Sequence, residues 1–542
     1  MQVIETFKRV LGKEHSSTLT SMANLASTYQ NQGRWKEAEK LFIRVMKTSL
    51  RVLGKEHLDT LTSMANLAST FWNQGRWKEA KELEVRVMET RKRVLNEDHP
   101  DTLTSMVNLA STYQNQGRWK EAEELFIRVM ETSLRVLGKK HSDTLTSMTN
   151  LASTFWNQGR WKEAEKLFIR VIETRKRVLG EKHPSTLTTM NNLAGVLDSQ
   201  GKYEKTKSMY RRTLATSEKV LGVKHPNTLT TMNNFAEVLG HQGKYEEAEL
   251  MHRRTLATSE KMLGVEHPNT LTTMNNFAGV LGHQGKYEEA ELMHRRTLAT
   301  SEKVLGVEHP DTLTTMNNLA LVLDSQGKYE KAESMHRQEL EICEKVLGLK
   351  HPDTLTTMNN LARVLERQGK YEEAKSMHRQ TLAISEKMLG EEHPSTLTTM
   401  NNLALLLDSQ GKYEKAESMH RQTLATREKV LGLEHPSMLT TMNNLALVLD
   451  SQGKYEEAEL MHRQTLATRE KVLGLEHSDT LTSVYYLAHL LASRHRYDES
   501  TTALYERACA GYNATLGMYH PTTRACRQHY SQMLFDSRAE FA

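Results

Sequence analysis

Thirteen histidines recur on a fixed spacing, at His15 and every forty-second residue to His477, with a last at His520. A second ladder, His252, His294, His336, His378, His420 and His462, keeps the same period. Imidazole is the commonest metal ligand and the usual general base near neutral pH, so these ladders are where chemistry would be sought first. The spacing argues against it. Two ligands of one metal ion lie within about 4 Å of each other, whereas equivalent residues of stacked units sit on the order of 10 Å apart. No His-x3-His or Cys-x2-Cys pair supplies a chelating turn. The junction ladder therefore reads as packing or capping. The second falls where Phe42, Phe126 and Phe168 stand in earlier units, and reads as neutral, partly buried imidazole.

Other chemistry is equally dispersed. Glycines stand singly at turns, so there is no phosphate-cradling Gly-x4-Gly-Lys-Ser/Thr loop. Cys343 occurs in one unit only, where others have Ser or Arg, and reads as a surface substitution. The three cysteines, Cys343, Cys509 and Cys526, follow no disulfide framework spacing and fit a reducing compartment. An enzyme needs an unrepeated constellation, and nearly all of this chain is repeated. The expectation is a non-enzyme with no cofactor and no metal. Lys plus Arg number 72 against 67 Asp plus Glu, with the signs interspersed, which argues against a nucleic-acid partner. No apolar run approaches the roughly 18 residues that span a bilayer, and the first residues lack a signal-peptide core. No membrane partner and a cytoplasmic location are expected.

The elements that would position these residues follow from the period. Gly-[Lys/Arg]-[Tyr/Trp], with Ala three residues after the aromatic residue, recurs at Gly33 and every forty-second residue to Gly453; Thr206 alone breaks the Ala. A constant period of this length marks a solenoid, in which each unit buries its apolar face on its neighbours. In the unit opening at His225, Asn227 is placed to cap a helix. Met232, Phe235, Ala236 and Leu239 then share one helical face. Gly243 ends that helix in the left-handed conformation glycine adopts cheaply. A second helix is expected over Tyr245 to Leu263, with Ala248, Met251, Leu256 and Leu263 apolar. All nine prolines sit beside a junction histidine, where a missing amide does no harm. The organisation expected is a truncated second helix over 1–14, twelve units over 15–519, and a capping helix over 520–542. A chain opening inside a helix reads as a fragment or the tail of a longer product. Its uncapped first face at Met22, Leu25 and Ala26 favours end-to-end self-association.

Asn-Asn-Leu-Ala, Gln-Gly-Lys-Tyr-Glu-Glu-Ala, Glu-Lys-Val-Leu-Gly and His-Pro together resemble the tetratricopeptide repeat in the 42-residue form of kinesin light chains. The resemblance spans practically the whole chain. It implies an all-α fold, a right-handed superhelical solenoid of antiparallel helix pairs whose concave surface holds an extended peptide. Similar near-identical arrays close the C-terminal side of fungal nucleotide-binding receptors. The heptad coiled coil that precedes the repeats of kinesin light chains has no counterpart here.

Because the units align with one another, they show which positions vary. Units six and seven differ only at Glu237 against Gly279 and Met262 against Val304. The position of Glu237 also carries Leu321, Arg363 and Leu405; three residues on stand Trp72, Trp156, Asp324, Glu366, Asp408 and Asp450. These positions share or flank the side of the first helix turned from its packing face, whereas outer charges such as Glu246 and Lys261 vary little. On the resemblance, Asn233, Asn275, Asn317, Asn359, Asn401 and Asn443 lie there too, with amides able to bond a ligand backbone. The function expected is a non-enzymatic scaffold that binds a peptide or protein segment in its groove. The alternative is a kinesin light chain-like cargo adaptor of a microtubule motor. Kinesin light chains favour acidic peptides; here Asp324, Glu366, Asp408 and Asp450, interrupted by Arg363, favour a basic segment. Trp72 and Trp156 are expected to be exposed anchors for an apolar one.

Overall fold

The computed structural model describes residues 2–540, and among them every regular element is a helix. Each unit is one antiparallel pair. In unit six the helices run Pro226–His241 and Tyr245–Leu263, so the second begins and ends where the sequence places it. Gly243 between them has φ 69°. Its amide bonds the carbonyl of Gly240 at 2.9 Å and the Lys244 amide bonds that of Leu239 at 2.9 Å, the paired closure that a left-handed residue permits at a helix end. In unit twelve His495 takes this place with φ 56°. Met1, Phe541 and Ala542 lie outside the described residues. Helix Gln2–Val10 precedes unit one, and its Ile4 packs on Leu19, Met22 and Val45.

The helix cap differs from expectation. The capping residue is the junction histidine: His225 Nδ1 accepts from the Asn227 amide at 3.2 Å. An imidazole two residues upstream reaches that orphan amide as well as an Asx side chain would, and proline beside it supplies a preset φ.

Cores form between successive units. Phe277, Leu281 and Ala290 close on Val322 of the next first helix, and the same set recurs along the chain as Leu319, Leu323, Ala332 and Val364. The second helix buries a stripe more polar than expected: Ala248, His252, Thr255 and Ser259, with Met251 and Leu256 only half-buried. Small side chains there let the helices approach closely, and Thr255 returns its hydroxyl to the Met251 carbonyl at 2.8 Å. Cys343 belongs to this stripe. It is buried, not on the surface, because the Ser, Arg or Cys position faces the next unit. Where Arg stands there it is buried too: Arg469 Nη1 donates to the Asp479 carbonyl at 2.7 Å and to Ser483 Oγ at 2.9 Å.

The array coils far enough for its second winding to rest on its first, along a seam. His309 caps its own helix through Nδ1, which accepts from Asp311 N–H at 3.1 Å, while Nε2 donates to the Asn73 carbonyl at 3.1 Å. The same two bonds recur at His351 to Asn115, His393 to Asn157, His435 to Ser199 and His477 to His241, each spanning 236 residues. Four of these five rings are stacked by an indole: Trp35 on His309, Trp77 on His351, Trp119 on His393 and Trp161 on His435, at centroid separations of 5.4–5.9 Å. Lys78 Nζ donates to the Lys345 carbonyl at 3.1 Å across the same gap. The junction histidines His15, His57 and His141, on the free edge of the first winding, are exposed, whereas those from His309 to His477 are buried.

Candidate functional site

The first helices line the concave side, and the variable positions give it local character. Units six and seven carry Gly240, Gly279 and Gly282 where neighbouring units carry Asp324, Leu321 or Arg363. A Cβ added at Gly279 would meet nothing within 4 Å, whereas one at Gly240 or Gly282 would touch Val280 or Val322 at 3.6–3.7 Å, so the room lies chiefly at Gly279. The space is a cavity of about 500 Å³ floored by Glu237, His241, Asn275, Asn276, Tyr245 and His283. Its rim is completed by Ser478, Tyr512, Leu516 and His520 of the second winding. The pocket therefore exists only because the array coils back on itself.

Its electrostatics are mixed. Asp198 Oδ2 lies 2.8 Å from His241 Nδ1, and that hydrogen bond raises the imidazole pKa against the opposing effect of its crowded surroundings. Glu237 is exposed, yet the enclosing concave walls raise its carboxyl, His241 pulling the other way. Tyr245 stacks on His283 at 6.1 Å. The pocket thus brings together an imidazole bonded to Asp198, a carboxyl and an aromatic platform.

The remaining expected residues divide. Asp324 is 2% exposed and ion-paired to Arg367 at 3.2 Å and Arg363 at 3.8 Å, so it is not a free groove carboxylate. Its two arginines come from the next unit, which brings opposite charges together as the helices stack. Glu366 accepts from Ser409 Oγ at 2.9 Å, and burial raises its carboxyl. Asp408 and Asp450 are half-buried, and burial raises both pKa values. Trp72 and Trp156 are half-buried rather than exposed. Trp156 Nε1 donates to Ser199 Oγ at 2.8 Å, and the indole lies where a Cβ on Gly195 would meet it at 2.5 Å. Gly195 is therefore a packing partner of Trp156, and variation at that position partly records this fit.

Three of the first asparagines bond between units, whereas Oδ1 of Asn233, Asn275 and Asn443 is buried with no hydrogen-bond partner among the described residues. Asn233, Asn275, Asn401 and Asn443 are buried and Asn317 and Asn359 half-buried. Asn359 Nδ2 donates to Thr399 Oγ1 at 2.8 Å, Asn401 Oδ1 accepts from Asn444 Nδ2 at 3.2 Å, and Asn317 Oδ1 accepts from Asn360 Nδ2 at 2.9 Å. The second asparagines, Asn276 and Asn318, reach the cavity; sequence reasoning passed over them because both members of the pair are equally repeated. The outer charges also have a structural reason. Lys303 pairs with Glu266 at 2.6 Å and Lys345 with Glu308 at 2.6 Å, each bridging adjacent units.

Among the described residues no three His, Cys, Asp or Glu side chains converge on a metal-sized site, and no helix is long and apolar enough to cross a membrane.

The tetratricopeptide repeat profile matches in overlapping copies from residue 17 to residue 471, and the chain belongs to that family. Among solved structures it is similar to a Podospora anserina protein titled as a kinesin light chain with nearly identical TPR-like repeats, at 30% identity over 38% of this chain and 97% of that one, TM-score 0.34. It is also similar to BtubC (BKLC) of P. vanneervenii, at 23% identity over 44% of this chain and 92% of that one, TM-score 0.33. No curated protein matches the sequence.

Proposed function

We propose that this chain is a non-enzymatic scaffold that holds an extended peptide or protein segment along its concave face. The observation that carries the reading is the glycine-emptied cavity at units six to eight, whose polar floor and aromatic wall suit one ligand side chain. Asp408 and Asp450, which form no ion pair among the described residues, extend the surface for a basic neighbour. The half-buried Trp72 and Trp156 leave only part of each ring for a ligand, which weakens their standing as anchors. Kinesin light chain-like cargo adaptation is the second reading, favoured by the similarity to the Podospora repeats. Self-association through the N-terminal edge is a further part of the proposal, supported by Val10 and Leu11, which are exposed there. Light scattering across a dilution series tests it, and a monomer at every concentration rules it out.

An array of immobilised peptides tests the groove. Binders should carry basic residues, and Gly279→Leu, which fills the cavity, should weaken them on the order of tenfold. Asp408→Lys with Asp450→Lys should cost about 0.2–1 kcal/mol per ion pair with the peptide and flatten the salt dependence. Acidic binders indifferent to both changes would refute the reading.

A further inference from the structure

One constellation in this chain is unrepeated, and it lies at the C-terminal end. Helix Glu499–Thr515 and the final helix Pro521–Glu540 pack through Tyr505, Ala508, Tyr512, Cys526 and Met533. Within that core Cys509 Sγ and Cys526 Sγ stand 3.2 Å apart. Both are free thiols, Cys526 buried and Cys509 half-buried. A disulfide needs the sulfurs at about 2.05 Å, so closing it asks for a sulfur movement of roughly 1.2 Å, within reach of small side-chain rotations. Neither residue has a counterpart at the same place in the other units.

We propose that Cys509 and Cys526 form a reversible dithiol–disulfide site that latches the final helix of the array onto its neighbour. The pair divides the work. Cys509 is the half-buried, more accessible thiol; the contact between the two sulfurs, in which either can donate, and the nearby Arg527 both lower its pKa. The same hydrogen bond, with burial, raises that of Cys526. Cys509 is the attacking thiolate and Cys526 the resolving thiol. With hydrogen peroxide as oxidant, the Cys509 thiolate attacks one peroxide oxygen, forms an S–O bond and expels hydroxide, giving a sulfenic acid. The Cys526 sulfur then attacks the Cys509 sulfur, forms the S–S bond and expels hydroxide, which takes the Cys526 proton and leaves as water. Two electrons pass from the two sulfurs to the peroxide. Thiol reductants reverse the step.

The latch has a mechanical target. His520 precedes the final helix and its Nε2 lies 3.2 Å from the Tyr287 hydroxyl of unit seven, one winding earlier. Fixing this helix therefore also steadies the last contact of the seam. Cys343 is the internal control, since burial pushes its thiol up to about 12 and the sulfurs that share its core are methionine thioethers, Met316 and Met335.

The test treats the full chain with hydrogen peroxide in the presence of dimedone, then maps cysteines by peptide mass. In the unsubstituted protein a Cys509–Cys526 cross-linked peptide is expected, cleaved by dithiothreitol, with Cys343 still free. Amide exchange over 521–540 should slow at least tenfold on oxidation and recover on reduction. Cys526→Ser should divert Cys509 to a dimedone adduct, and Cys509→Ser should leave Cys526 unmodified. Cross-link formation in the unsubstituted chain does not depend on either variant folding. Oxidation of Cys509 to sulfinic acid without a cross-link, equal oxidation of Cys343, or unchanged exchange over 521–540 would overturn the proposal.

Discussion

The indole of Trp119 lies 5.4 Å from the imidazole of His393, with the two planes 26° apart, and this pair joins two windings of one coil. Aromatic pairs contribute about 0.5–1.5 kcal/mol beyond their area. A double-mutant cycle of Trp119→Ala and His393→Ala should return a coupling in that range, with helix content unchanged by circular dichroism. Zero coupling would mean that the windings part in solution.

Two turn glycines separate backbone strain from the seam. Gly117 has φ 68° and Gly411 has φ 69°. A Cβ on Gly117 would meet Pro352 Cδ at 2.5 Å, whereas one on Gly411 would meet nothing within 4 Å. Gly411→Ala should cost about 1–2 kcal/mol for the left-handed backbone alone. Gly117→Ala should cost more, by an excess that disappears when Pro352 is also replaced by Ala. Equal losses in denaturant titrations would show that the contact is not made.

Acid should melt the array from one side. Burial pushes His252, His294, His378, His420 and His462 down to about 4. Their folded pKa lies below the unfolded value near 6.5, so the unfolded chain binds the proton first. The stability they provide is present above pH about 6.5 and lost as pH falls toward 4, roughly 3 kcal/mol per histidine. Phe42, Phe126 and Phe168 fill the same place in units one, three and four and lack this dependence. Hydrogen exchange near pH 4.5 should therefore find units six, seven and nine to eleven open while those three units hold. Uniform exchange along the chain would contradict the burial of the ladder.

Glu84 occupies that position in unit two, 5% exposed, and burial pushes its carboxyl up to about 7. Here the sign reverses. The folded pKa lies above the unfolded one, so stability is fullest below pH about 4.5 and is lost as pH rises through 7. The cost at pH 8 is roughly 3 kcal/mol. Glu84→Phe restores the residue of the neighbouring units and should raise the melting temperature at pH 8 more than at pH 5. A larger gain at pH 5 would refute this account.

The units were legible in the sequence because their causes are local. Helix Tyr245–Leu263, the Gly243 turn and the Met232, Phe235, Leu239 face all follow from residues within one period. The seam was not, because it depends on a small rotation per unit accumulated until Asn73 meets His309. A trace of it was present: the four units with Trp after the turn are those whose turns meet His309 to His435. Asp324 was misread for a related reason, since Arg363 and Arg367 reach it from the following unit. The Glu237 position was legible as groove-facing, but the cavity beside it needed the second winding to become a pocket.

The 236-residue bond from His309 to Asn73 also changes what this molecule is as a material. An open superhelix lengthens and shortens like a slack spring, spreading small tilts over every joint. A close-wound spring behaves otherwise. Its windings touch at rest, so it resists compression, and under tension it first holds its length, then gives way as neighbouring coils part. Pulled from its ends, this chain should be stiff below a threshold load and compliant above it.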